Sequence, residues 1–413
     1  MIQKLKTLIK KYPVEGLILL FCLVVYFLDS VNGRLWMNDF KVYYSAAEDL
    51  LRGKDFYGKV YALNSGNFKY SPVAALLFIP FSIFPYDLAK SLFFILSSFA
   101  IATFFLQIRI LLSKTYLSSD KKINKILLIC FIASATHLFR ELHLGNLNMI
   151  LLSLLLLSIN LMNKKESHAG ILLAICLLIK PHFLIFLPLL LIRKKFKALL
   201  FQGTAFVFGI LIPAFILGWE QNLISLTQWM ETIRNHQGGI EQAKQTLAYI
   251  LLNLFGIGSS VGNFTKVSIL LTSIFALGVL FLVVRHVKSE SKNQQNLFVV
   301  NFQREYFLLL AMIPSLTVTD TEHFLFSLPL ISVLLLTSFV QERRRRSILL
   351  ILALLMYGAN WHDLVGEEIS TWMFRNGVLG IGNVLLLVIY FLEESTPGMF
   401  AAINKAKEAT HTF

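Results

Sequence analysis

Apolar runs of about 17–25 residues recur from one end of this 413-residue chain to the other, each long enough to cross roughly 30 Å of hydrocarbon. They fall near 13–31, 88–111, 124–138, 147–162, 168–180, 182–192, 197–217, 264–285, 305–318, 323–340, 347–360 and 376–393. A soluble globule cannot hide so much oil. Hydrophobic residues make up 56% and charged residues only 15% of the chain, against roughly a quarter charged in ordinary soluble proteins. The expected fold is therefore all-α, a polytopic transmembrane protein of about 12 spans forming a single integral-membrane domain over 1–413. The lysine-rich start, "KLKTLIKK", is followed by no small-residue cleavage site, so the first span is expected to be retained.

A net charge of +14 first suggests nucleic acid, but its distribution gives another explanation. With the N-terminus in the cytoplasm, "KTYLSSDKKINK", "NKKES", "RKKFK", "RHVKSESK" and "QERRRR" all fall on the cytoplasmic side, as does the C-terminus. The opposite loops are close to charge balance. That is the positive-inside pattern of a multi-pass protein of the cell (inner) membrane, and the partners it implies are lipids, not nucleic acid. Cys22, Cys130 and Cys176 all lie inside apolar runs and read as inert core residues.

The two longest outer loops are expected at 32–87 and 218–263. Polar residues gather at the outer ends of spans while mid-span charges are scarce, which argues against an ion or proton pathway. No inverted repeat or pair of broken helices is visible. In "NDFKVYYSAAEDLLRGKDFYG" (38–58), Phe40, Tyr43, Tyr44, Ala47, Leu50 and Leu51 recur at helical spacing, with Lys41, Ser45, Glu48 and Arg52 opposite. This predicts an amphipathic helix lying on the membrane surface, its aromatic face floating on lipid, with Gly53 as its stop. The short apolar stretch 69–85 is bounded by prolines and reads as a second interfacial or partly inserted helix, not a full crossing.

Several outer residues have the chemistry of a site. Asn38 or Asp39 fits a helix N-cap, and Asp39 also fits a carboxylate placed to take a proton from a substrate hydroxyl, two roles that can coexist; Asp49, which could equally be a solvated face, and Asp55 are competing acids. "LHLGNLN" sets His143, Asn146 and Asn148 beside Gly145; amides suit sugar hydroxyls because they donate and accept. Lys180, before Pro181, either snorkels to the headgroups or holds a phosphate as a point charge. His236, Gln237, Asp320, Glu322 and His323 match no metal motif, so no metal or other cofactor is expected. The tryptophan in "NWHDLVGEE" (360–368) fits an aromatic belt. Gly-rich phosphate loops and CxxC are absent from the sequence.

These segments together resemble the membrane glycosyltransferases of glycosyltransferase family 87, part of the GT-C superfamily. The resemblance rests on "DFKVYYSAAEDLLRGKDFY", "KYSPVAALLFIPFSIFP", "LGNLNMILLSLLL" and "GILLAICLLIKPHFLIFLPLLLIRKKF". It implies an inverting hexosyltransferase moving a mannose-like sugar from a polyprenyl-phosphate donor to a lipid or glycan acceptor on the extracytoplasmic face. Asp39 would be the base and Lys180 the donor-phosphate ligand. Tyr43, Tyr70, Asn146 and Asn148 would contact substrate, as would His236, Gln237 and His323. The chain departs from the family where Gly-Gln-x-Asn reads Gly145-Asn146-Leu147-Asn148, where Asn-Gln-Ser reads Asn235-His236-Gln237-Gly238, and where Trp-x-His-His leaves only His323. Two rival readings are an O-antigen-ligase-like enzyme, which carries its dominant outer loop late in the chain, and a lipid-linked-sugar flippase, which needs polar groups through the midplane. A non-catalytic scaffold would leave the outer acid, amide and lysine clusters without a role.

Overall fold

The computed structural model describes residues 11–61, 66–116, 118–236, 243–258, 260–290, 295–318, 320–341, 344–358 and 362–394. Helices dominate it. In chain order α1 (Pro13–Val31) and α2 (Asn38–Leu51) precede a small antiparallel hairpin, β1 (Val60–Tyr61) and β2 (Gly66–Asn67). Next come α3 (Pro72–Ser82), α4 (Tyr86–Lys114), α5 (Asp120–Leu144), α6 (Asn148–Leu161) and α7 (Glu166–Ile179). A 3₁₀ turn (Pro181–Phe186) leads into α8 (Leu187–Ile192), α9 (Phe196–Leu211), α10 (Ala214–Leu217) and α11 (Trp219–His236). The remainder is α12 (Leu247–Leu254), α13 (Val261–Ser289), α14 (Gln295–Leu316), a 3₁₀ segment (Thr321–Ser327), α15 (Leu328–Gln341) and α16 (Arg344–Gly358). It ends with α17 (His362–Val365), α18 (Glu367–Arg375) and α19 (Val378–Glu394).

Among the described residues, seven helices are long and apolar enough to cross a membrane, or eight if the pair α18 and α19, bent by 54°, counts as one span. The other expected spans correspond to the shorter helices α6, α7, the Pro181–Ile192 segment and α16. At 1.5 Å per residue, 14-residue helices such as α6 and α7 reach about 21 Å, less than the hydrocarbon thickness. Exposed apolar side chains such as Phe281 and Leu277 on α13 are surface that a bilayer would cover.

The chain packs as two compact units: 1–107 with 139–238, and 108–138 with 239–413. In the first, α7 and α9 meet at backbone distance, because a Cβ on Gly170 would strike the Ala198 carbonyl. Its aromatic centre is built on α2. Phe40, Tyr43, Tyr44, Ala47 and Leu50 are all buried, on the spacing the sequence predicts, and Phe40 stacks on Phe93 at 4.4 Å between centroids while meeting Phe81 edge-on. The expected lipid-floating face is thus corrected: α3 and α4 cover it, and only Leu51 of the set is exposed. Burying side chains of this size is worth roughly 1.5–3 kcal/mol each, enough to fix α2 against its neighbours. Gly53, at φ +64°, stops the helix as expected. α3 is the predicted short helix within 69–85, while the loop expected over 218–263 contains α11 and α12.

The second unit is organised by buried polar side chains. Asn383 donates to the Ala311 carbonyl (2.7 Å) and Ser315 (2.8 Å), and accepts from Ser327 (2.7 Å) and Tyr357, tying α14, the Thr321–Ser327 segment, α16 and α19 together. At other ends of these helices, His286 lies 2.7 Å from Glu305 and 2.9 Å from Glu394, and Arg304 pairs with Glu394 at 2.7 Å.

Candidate active site

Asp39 occupies the first turn of α2, but it does not cap it. The cap position is Met37, in the left-handed region at φ 46°, whose side chain makes no capping hydrogen bond. The N-cap alternative for Asn38 or Asp39 is therefore set aside, and the half-buried Asp39 carboxylate sits where the helix dipole favours negative charge. Met37 is held in its strained conformation by its surroundings. It is fully buried, and the Tyr86 hydroxyl donates to the Trp36 and Met37 carbonyls at 2.7 and 3.2 Å.

The competing acids are committed elsewhere in the loop. Asp49 accepts from Lys59 (3.1 Å) and from the Tyr61 hydroxyl (2.8 Å), so it is not the solvated residue that its position on α2 allowed. Burial, reinforced by that carboxylate, raises the Tyr61 pKa and keeps its proton in place. Asp55 accepts from Gln221 on α11 at 3.2 Å.

One turn beyond Asp39, Tyr43 is buried and its hydroxyl lies 3.1 Å from that of Tyr70. Burial first, then Tyr70, Asp39 and Glu141, push the Tyr43 pKa up, so it meets a substrate as a neutral hydroxyl. Those neighbours place Asp39, Tyr43, Tyr70 and Glu141 in one cluster. Glu141 is a residue that sequence reasoning missed. It has no exposed surface, accepts from Asn148 Nδ2 (2.9 Å) and from the Met149 backbone N–H (2.8 Å), and so closes the start of α6. Asn148 Oδ1 in turn accepts from Lys180 Nζ at 2.6 Å. The buried ammonium is thereby linked to the buried carboxylate through one amide. Its signal in the sequence was a charge placed seven residues before an asparagine at the predicted end of a span.

The loop between α5 and α6 is pressed against the start of α2. Gly145 has φ +71°, and a Cβ there would lie 2.8 Å from Phe40 Cβ and 3.0 Å from Met37 Cε. Asn146 is buried beside it, its backbone N–H bonded to the Glu141 carbonyl at 3.0 Å. Gly145→Ala is expected to lower the thermal midpoint more than Gly53→Ala does. Both positions have positive φ, costing about 1 kcal/mol, but a Cβ at Gly53 meets open space. Equal midpoints in detergent thermal melts would show that the close approach carries no energy. His143, named with these amides in the sequence, pairs with buried Asp29 at 2.9 Å and stacks on Phe139.

Gln237 lies outside the described residues, as does the His236 side chain. His323 belongs to the second unit, where it is buried with Nδ1 3.2 Å from the Asp320 carbonyl and its ring edge-on to Phe326. Among the described residues no three His, Cys, Asp or Glu side chains group as a metal site.

A carboxylate in a helix first turn, tyrosine hydroxyls and a buried lysine are a set suited to handling a hydroxyl and an anionic leaving group. No curated protein and no solved structure matched the chain. Residues 68–313, well over half of the sequence, match glycosyltransferase family 87, and the match contains Tyr70, Glu141, Asn146, Asn148 and Lys180, with Asp39 upstream of it. The chain thus belongs to glycosyltransferase family 87, and is a glycosyltransferase built on membrane-spanning helices.

Proposed function

We propose that the protein is an inverting hexosyltransferase that takes a mannose-like sugar from a polyprenyl-phosphate donor and passes it to a lipid or glycan acceptor at the extracytoplasmic face of the cell membrane. The observation that carries this reading is the cluster joining Asp39, Tyr43 and Tyr70 to Glu141, Asn148 and Lys180. Asp39 takes the acceptor proton as the hydroxyl oxygen attacks the anomeric carbon, and the bond to phosphate breaks on the opposite face. The electron pair leaves with the polyprenyl phosphate, an anion stable at neutral pH, so the step requires no general acid. Lys180 supplies positive charge where the leaving phosphate gains negative charge, the usual form of electrostatic stabilisation in transfer reactions. Glu141 is fixed by two N–H donors and holds Lys180 through Asn148, a supporting carboxylate and not a second base. Donor and acceptor tails are both confined to the bilayer, which brings carbon and hydroxyl together near headgroup depth.

The positive-inside charge pattern supports the extracytoplasmic placement. The test is transfer of label from a panel of polyprenyl-phosphate hexoses and pentoses into membrane lipids. Label moving from a hexose donor supports the reading and names the sugar; label moving only from a nucleotide-sugar donor overturns it. Lys180→Ala is expected to raise the KM for the donor about tenfold or more with a smaller effect on the acceptor KM, because a charge-assisted contact to phosphate is lost. A larger rise in the acceptor KM would remove Lys180 from the donor site.

A further inference from the structure

Beside the candidate active site lies a cleft of about 550 Å³, within the roughly 300–1,000 Å³ span of small-ligand sites. One wall is the β1–β2 hairpin and the strand that leaves it, which contribute Asn67 and Lys69. The other is α11, which contributes Gln228, Glu231, Thr232 and Asn235. These four recur at i, i+3, i+4 and i+7, the spacing of a single helix face. Such a face is ordinarily apolar and packed; here it is polar throughout and lines open space. Asp55 and Gln221 bond the two walls together at 3.2 Å, so the cleft is a built feature of the first unit.

We propose that this cleft binds a non-reacting sugar unit of the acceptor, so that the acceptor is a glycan-bearing lipid whose headgroup exceeds a single sugar. The inference rests on the glycosyl-transfer reading above and adds the acceptor class to it. Amides and a hydroxyl on facing walls can donate and accept together, which is what a pyranose hydroxyl array requires. Apolar surface lies between these polar groups, as the C–H faces of a pyranose require. A bare phosphate is disfavoured, since Glu231 stands among the lining residues with Lys69. Tyr57 spends its hydroxyl on the Tyr70 carbonyl at 2.6 Å and so presents its ring to the cleft. Tyr70 in turn meets Tyr43, one turn from Asp39. The cleft is thus set back from the base by two aromatic residues. That is too far for the hydroxyl being glycosylated, and suits the sugars behind it.

The experiment uses the full-length protein in nanodiscs. Saturation-transfer NMR is recorded with water-soluble mono-, di- and trisaccharides, in wild type, in Gln228→Ala/Asn235→Ala and in Asn67→Ala, which alters the opposite wall. In parallel, transfer kinetics are measured with acceptor lipids of increasing glycan length. The expected result is saturation of the longer saccharides that weakens in both cleft variants. The acceptor KM for the longer lipids should rise about tenfold in the double variant, the scale of two lost neutral hydrogen bonds, with the rise concentrated on acceptor and not donor. If no polyprenyl-phosphate donor supports transfer yet saccharide saturation still depends on the cleft residues, the transfer reading fails and the sugar site stands. Saturation that is identical in wild type and variants overturns the site. A KM increase confined to the donor assigns the cleft to the donor and overturns the acceptor proposal.

Discussion

Asp39→Asn is expected to leave the protein folded and inserted while lowering turnover about 10²- to 10⁴-fold, the scale of a positioned general base. In free energy that is roughly 3–5 kcal/mol of lost transition-state stabilisation. The fold should tolerate the change because Asp39 is not the cap residue of its helix, a position that Met37 occupies. The amide is isosteric and can still accept hydrogen bonds; what it cannot do is take a proton. A thermal midpoint within about a degree of wild type, together with the rate loss, would assign the base. The neighbouring acids provide the contrast. Asp49→Asn weakens the contacts to Lys59 and Tyr61, and Asp55→Asn the contact to Gln221, so each should act through the loop's packing with a much smaller effect on rate. If Asp39→Asn transfers sugar at the wild-type rate and Asp49→Asn does not, the carboxylate chemistry belongs to Asp49 and the present assignment is wrong.

What could be read from the sequence follows from the physics of single elements. Phe40, Tyr43, Tyr44, Ala47 and Leu50 announce a helix with one apolar face because 3.6-residue periodicity is a local property. Gly53 announces its end for the same reason. What covers that face is not local. Lipid and the aromatic side chains of α3 and α4 make the same demand on composition, so periodicity alone could not choose between them. Glu141 stayed hidden for a related reason: its partners are Asn148 and, beyond it, Lys180, and one sequence holds no record of which distant polar residues pair. His286 was obscured in the same way, since it pairs with Glu305 and with Glu394 far along the chain. α11 was missed because its face at 228, 231, 232 and 235 is polar, and a search for apolar stripes passes over a helix that lines a cleft.

Glu141→Ala is expected to be among the most destabilising single changes in the first unit, at about 3–5 kcal/mol, the usual cost of breaking a buried charged arrangement from one side. The carboxylate has no exposed surface and serves two donors, Asn148 Nδ2 and the Met149 N–H, which lose their acceptor once it is gone. Each orphaned donor costs about 1–3 kcal/mol. Behind them Lys180, bonded to Asn148 Oδ1, keeps its charge in a buried position while the carboxylate on the far side of that amide is gone. Glu141→Gln should cost less, because one oxygen remains to accept from Met149, yet its new amide N–H₂ opposes that of Asn148. This conflict makes a charge relay testable by exchange. Combining Glu141→Gln with Asn148→Asp moves the negative charge one residue along the chain of contacts: the introduced amide can donate to the introduced carboxylate, which then faces Lys180 directly. The double variant should recover most of the thermal stability lost by Glu141→Gln, and its donor KM should move back toward wild type because Lys180 is again held by an anion. Additive losses in the two single variants, with no recovery in the pair, would mean that Glu141 closes the start of α6 and nothing more. Thermal melts and donor kinetics on the four proteins separate the two roles, because capping alone predicts a change in stability without a matching change in donor affinity.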